Sequence, residues 1–329
     1  MKSQNNFLYD VICVGSASLD IFLESQHFKA AKTKHCFLID GRSCLEFDRK
    51  IEINNVIWQS GGGATNCGVG FARFGFKTAI LTKIGRDFVG RQILAELRKE
   101  KGLELSLIKK SKKAKSGLSV ILLAPTGQKT IMVFRGAVPR FSNKEIDCWR
   151  KLQAQWFMIT SMGGNLKLIR RIIRWAKNHQ SYVAFNPGSA ELERKKRLLP
   201  LLKRTDVLFL NFKEGKALTG GKDAKETARK LFKLGPKVVV LTLGRKGALA
   251  FDGKKMYQVN TKDVKVVDAT GAGDAFSTGF LAKFIKTGNI VDALKVGSAN
   301  AHSVIQHFGA KTGLKYKMET KDFKTKEVK

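Results

Sequence analysis

What most constrains this chain is a rhythm. Short β-rich runs alternate with helix-period segments over most of its length, an order that favours a mostly parallel sheet covered by helices on both faces. Candidate strands lie at 10–14, 78–82, 156–160, 182–185, 207–210 and 238–243. Between them, Val89, Ile93, Leu94 and Leu97 share one helical face that stops at Gly102, and Leu168, Ile169, Ile172, Ile173 and Ala176 share another. Two stretches break the rhythm, about 22–59 and about 105–135. The first contains the alternating set Leu45, Phe47, Arg49, Ile51 and Ile53; the second reads as a hairpin of 118–124 with 130–134 around Pro125, Thr126 and Gly127. A small β-sheet inserted here as a lid would exclude water from a reacting group, although plain extension of the main sheet fits the pattern too. The expected organisation is one α/β unit over 1–314 with the lid inserted, followed by a basic tail, 315–329, that frays.

Bulk properties narrow the class. At 329 residues and 43% hydrophobic, the chain can bury a large core. Five cysteines (Cys13, Cys36, Cys44, Cys67 and Cys148) make an odd number without a C-x-x-C pair, which reads as reduced thiols in a cytoplasmic setting. No run of apolar residues is long enough to predict a membrane span. With 61 Lys plus Arg against 27 Asp plus Glu, the net charge of +34 would attract nucleic acid non-specifically. The basic runs carry neither interleaved aromatics nor zinc-ligand spacing, so they read as solvated surface.

The chemistry concentrates in glycine-rich turns. Asp268-Ala-Thr-Gly-Ala-Gly-Asp274 follows a strand-like run and opens a helix whose apolar face is Phe276, Phe280, Leu281, Phe284 and Ile285. Gly271, Ala272 and Gly273 would gather backbone N–H groups around an anion at the positive end of the helix dipole. Asp274 would then sit where it can take a proton from a hydroxyl attacking a bound phosphoryl group. A first-turn aspartate is also what capping favours, so the motif needs company. Upstream, Gly61, Gly62 and Gly63 with Asn66 open a helix of small residues; they suit close approach to a polyol or tight packing on the sheet. Asn211 and Glu214 follow one strand, and Thr242, Gly244 and Gly247 follow another, both at C-terminal strand edges where open α/β sheets bind ligands.

Taken in order, these segments resemble the ribokinase-like, or pfkB-type, carbohydrate kinases, from about Val11 to Gly313. The resemblance implies an ATP-dependent kinase acting on a sugar or a nucleoside, with Mg2+ and, in some members, K+. It implies Asp274 as general base and Gly271, Ala272 and Gly273 as the anion hole. Asp20, Gly61, Gly62, Gly63 and Asn66 would hold the acceptor. Asn211 and Glu214 would organise magnesium through water, while Thr242, Gly244 and Gly247 would form the nucleotide loop. Ser298 and Asn300 are the two positions for an adenine contact. Asp268 and Thr270 match part of a monovalent-cation site found in some members, and pairing of two lids would give a homodimer. Gly63 stands where ribokinases proper carry lysine, and Ala137-Val138 replaces their Ala-Asn, so ribose itself is not implied.

Overall fold

The computed structural model describes residues 7–26, 28, 36–39, 43–46, 50–123, 129–147, 149–319 and 323–328. The chain enters through β1 (Tyr9–Val14) and leaves at once for β2 (Ser18–Glu24). A short hairpin, β3 (Cys36–Ile39) and β4 (Ser43–Glu46), precedes β5 (Asn55–Gly61), which runs into α1 (Gly63–Arg73). Then follow β6 (Thr78–Leu81), β7 (Lys83–Gly85), α2 (Phe88–Leu97), β8 (Leu103–Glu104), β9 (Lys109–Ser111), β10 (Gly117–Leu123) and β11 (Lys129–Phe134). Regular alternation resumes with β12 (Ala154–Ile159), α3 (Leu166–Asn178), β13 (Tyr182–Phe185), α4 (Ser189–Leu192), α5 (Lys195–Leu202), β14 (Val207–Asn211), α6 (Phe212–Thr219), α7 (Ala224–Phe232) and β15 (Val238–Thr242). The chain ends with β16 (Ala248–Phe251), β17 (Met256–Val259), α8 (Ala272–Thr287), α9 (Ile290–Val304) and β18 (Thr325–Glu327).

Ten strands form the central sheet in the order β18-β17-β16-β15-β14-β13-β12-β1-β6-β8. Pairings from β8 to β15 are parallel, and β16, β17 and β18 add antiparallel strands at one edge. Successive side chains of a strand point to opposite faces, and both faces here are covered. Ile12, Val14, Phe157 and Ile159 pack toward α3, α5 and α7, whereas Val11, Cys13, Trp156 and Met158 pack toward α1, α8 and α9. Cys13 and Cys67 are buried free thiols. Among the described residues, no helix is long and apolar enough to cross a membrane.

A separate four-stranded sheet, β11-β10-β2-β5, forms the lid. Its strands begin earlier than the alternating pattern suggests, at Ser18, and their second portion starts only at Gly117. Residues near 105–111 do not belong to the lid, because β8 pairs with β6 and β9 pairs with β7. Of the alternating set, Leu45 lies in the β3–β4 hairpin and Ile51 and Ile53 lie outside any strand. Phe47, Arg49 and the expected turn at Pro125, Thr126 and Gly127 lie outside the described residues. The basic tail also departs from expectation. Rather than fraying, it buries Phe323 against the core and adds β18 to β17, with Tyr257 opposite Glu327.

Candidate active site

Helix α8 starts on a residue that only glycine accommodates well. Gly271 has φ 75°, and a Cβ there would lie 2.3 Å from that of Ala310. The sharp left-handed turn launches the helix with Ala272, Gly273 and Asp274 in its first turn. The N–H groups of Gly273 and Asp274 come too early for an intrahelical acceptor, and the helix dipole adds positive potential there. Nothing lies within 4 Å of the position a Gly273 Cβ would take, so the approach is open.

This helix start is a shared wall between two cavities. On one side, a cavity of about 260 Å3 beneath the lid is lined by Asp20, Asn66, Ser119, Ser161, Gly271 and Asp274, with Ile121, Ile131, Val133 and Phe134 above them. On the other side, a groove of about 400 Å3 is lined by Thr242, Gly244, Gly247, Ala272, Gly273 and Ser298. An anion seated on the helix start is therefore reachable from both.

The two carboxylates of the smaller cavity come from different bodies, Asp20 from lid strand β2 and Asp274 from the core. Burial raises the Asp274 carboxyl above the ordinary aspartate value. An amide hydrogen bond from Asn66 Nδ2 to Asp274 Oδ2 (2.8 Å) and the Lys311 charge work against that rise, and Asp20 adds to it. Burial raises Asp20 as well, tempered by hydrogen bonds from Ser119 and Ser18, the latter at 3.0 Å. Asp20 lies so close over β5 that a Cβ on Gly61 would come 1.9 Å from its Oδ2.

The glycine run thus divides its work. Gly62 lines the cavity, Gly61 makes room for Asp20, and Gly63 abuts Thr160, whose Oγ1 would lie 2.4 Å from an added Cβ. Asn66 engages Asp274 directly, a role the polyol reading did not contain. Asn211 and Glu214 cap α6 reciprocally: Asn211 Oδ1 accepts from Glu214 N and Glu214 Oε2 accepts from Asn211 N, both at 2.9 Å. Neither lines the groove, although Asn211 lies opposite its rim residue Thr242 across β14 and β15. Ser298 lines the groove. Asn300 does not, which corrects its expected adenine contact: fully buried, it donates to Ala275 O (2.7 Å) and accepts from Lys315 N (3.0 Å).

The expected monovalent-cation site is corrected too. Lys129 Nζ donates to Asp268 Oδ1 at 2.6 Å and to Thr270 Oγ1 at 2.7 Å, so an ammonium already occupies both oxygens. Burial would raise Asp268, but the hydrogen bonds from Lys129 and Thr270 hold its carboxyl below the usual value. Two other residues escaped the sequence reading. Lys311 is buried beside the site, donates to the Ser60 carbonyl, and has its ammonium pulled down to about 8 by burial. Glu191, wholly buried, accepts from Ser161 Oγ (2.8 Å), Met162 N (3.0 Å), Gly164 N (2.6 Å) and Gly188 N (3.0 Å), fixing the loop that carries Ser161 into the cavity. Only the Gly188 contact is local, a capping box at the start of α4; the others join segments 27 or more residues apart, beyond the reach of any capping signal.

Known proteins are similar over nearly the whole chain. The profile of the pfkB family carbohydrate kinases matches residues 13–316. A protein described as an uncharacterized sugar kinase from Archaeoglobus fulgidus is 28% identical over 75% of this chain and 98% of its own. A cytidine kinase from Thermococcus kodakarensis is 29% identical over 76% and 88%. Among solved structures, ribokinase from Thermotoga maritima superposes with a TM-score of 0.75 at 25% identity, covering 93% of this chain and 95% of its own. The nucleoside kinase of Methanocaldococcus jannaschii gives 0.71 at 22% identity, covering 93% and 94%.

Proposed function

The chain belongs to the pfkB family of carbohydrate kinases and is a phosphotransferase with an alcohol group as acceptor; from that premise we propose that it moves the γ-phosphate of ATP onto a hydroxyl of a sugar, with Asp274 as general base. The observation that carries this reading is the α8 start standing between a polar cavity and an open groove. A hydroxyl in the cavity and a phosphoryl group in the groove would meet in line across Gly271–Asp274.

The open groove, the glycines at 244 and 273 with space above them, and the anion-seeking helix start fit ATP. Magnesium bound to its phosphates would supply charge neutralisation, with Glu214 reaching it through water. Asp20 holds acceptor hydroxyls beneath the lid. Asp274 receives the proton of the attacking hydroxyl, and Asn66 fixes the carboxylate in the accepting orientation. The N–H groups of Gly273 and Asp274 meet the charge on the transferring group, and the lid side chains keep water away.

A nucleoside acceptor is the second reading. Ile131, Val133 and Phe134 line the cavity from strand β11 yet remain 45%, 58% and 56% exposed, an apolar surface that a free sugar does not need and a base would cover. Strand β11 is also an edge of the lid sheet, which supports pairing of two lids in a homodimer.

Both readings meet one experiment: ADP release with Mg2+ across sugars, nucleosides and sugar phosphates, the last included because Arg135 also lines the cavity. Replacement of Asp274 by Asn is expected to lower kcat by about 10²- to 10⁴-fold with the fold intact. Near wild-type turnover by that variant would remove Asp274 from the role of base.

A further inference from the structure

Asp268 is a carboxylate whose side chain has no solvent exposure, on the loop that leads into Gly271. Its Oδ1 accepts from Thr270 N (2.9 Å), Thr270 Oγ1 (2.7 Å) and Lys129 Nζ (2.6 Å), and its Oδ2 accepts from Gly309 N (3.1 Å). A buried carboxylate needs a compensating positive charge close by. Lys129 meets that need from the first residue of lid strand β11, 139 residues away in the chain. Its ammonium also donates to Thr270 Oγ1. The two residues that the resemblance offers as part of a monovalent-cation site thus already share an ammonium.

We propose that Lys129 is a tethered cation, which makes the enzyme independent of K+ and ties the seating of the lid to the geometry of the anion hole. The ion's two contributions, charge at Asp268 and order in the 268–271 loop, come from a side chain that arrives only with the lid. Assembly of the anion hole and coverage of the acceptor then occur together, so a phosphoryl group is not presented to water while the lid is away. Lys129 is a positioning residue here, since it acts through Asp268 and Thr270.

This inference rests on the kinase reading for its kinetic arm and is separable from it in its thermal arm. Wild-type turnover is to be compared in KCl and in choline chloride at equal ionic strength, alongside Lys129→Ala and Lys129→Met. Equal wild-type rates are expected in the two salts. The Lys129→Ala rate should fall about tenfold or more in choline, with K+ or NH4+ restoring part of it. The melting temperature of Lys129→Ala should rise in KCl over choline, and that of wild type should not. Activation of wild type severalfold by K+ would overturn the proposal, as would full activity of both variants in choline. If no acceptor is phosphorylated at all, the kinase reading fails, and the melting comparison still decides whether K+ can replace the ammonium.

Discussion

Asp274 takes its properties from neighbours of three kinds: the apolar surroundings that raise its pKa, the Asn66 amide that lowers it, and the opposed charges of Lys311 and Asp20. Removing the amide by Asn66→Ala leaves burial less opposed, so the carboxyl rises further and its proton-accepting form is lost at a higher pH. The acid limb of the kcat/KM profile is therefore expected to move upward, with the rate at neutral pH falling about tenfold; an unmoved limb would mean that Asn66 does not act on the base. Lys311 gives the opposite sign on the basic side. Its folded value, about 8, lies below the ordinary 10.5, so the charged form is disfavoured in the fold, and that cost is complete below pH 8 and relieved as pH rises toward 10.5. Wild type should accordingly gain on the order of 2–4 kcal/mol relative to Lys311→Met between those limits, read by denaturant melts. At this scale the sequence was readable where the chemistry is contiguous, as at Gly271–Asp274. It was ambiguous where one signature has two uses: an Asn followed three residues later by Glu is equally a capping box. Ser298 and Asn300 illustrate a phase limit, since residues two apart on a helix point about 200° apart and only one can face the groove.

Elements repeat the lesson with different physics. The strands of the parallel sheet announced themselves because both their faces are buried, which gives short, continuous apolar runs at β1, β12, β14 and β15. Lid boundaries were blurred because lid strands bury one face only, and their alternation merges with that of the adjoining segments. The C-terminal strand stayed hidden for a simpler reason: Thr325, Lys326 and Glu327 pair through their backbone at a sheet edge, where side chains need not be apolar. Only Phe323 hints at docking, buried beside the core with the His302 ring set edge-on to it at 5.7 Å. Replacing Phe323 by Ala should cost about 3 kcal/mol, seen as a lower denaturation midpoint, and a midpoint unchanged from wild type would return the tail to the frayed state first expected. Because His302 also lines the groove, the same variant should weaken ATP binding without altering acceptor affinity.

On the scale of the whole molecule, the +34 charge calls for an observable of its own. Binding to unrelated DNA or RNA is expected to weaken by orders of magnitude between about 50 and 200 mM salt; affinity that persists at the higher salt would point to a specific nucleic-acid site. Long-range contacts are what no local reading could supply: Lys129 with Asp268, Asn66 with Asp274 and Lys311 with Ser60 each join residues more than a hundred positions apart. The division of the reacting groups between lid and core carries a consequence for how such an enzyme diversifies. The groove is lined from the core, by the ends of its strands and helices and by the loop at 261–269, whereas Asp20 and the apolar roof belong to three lid strands, β2, β10 and β11. Under the proposed function, the lid would act as a cassette: exchanging its strands between relatives is expected to change acceptor preference while the groove stays as it is, provided that the transplanted strand brings its own Lys129.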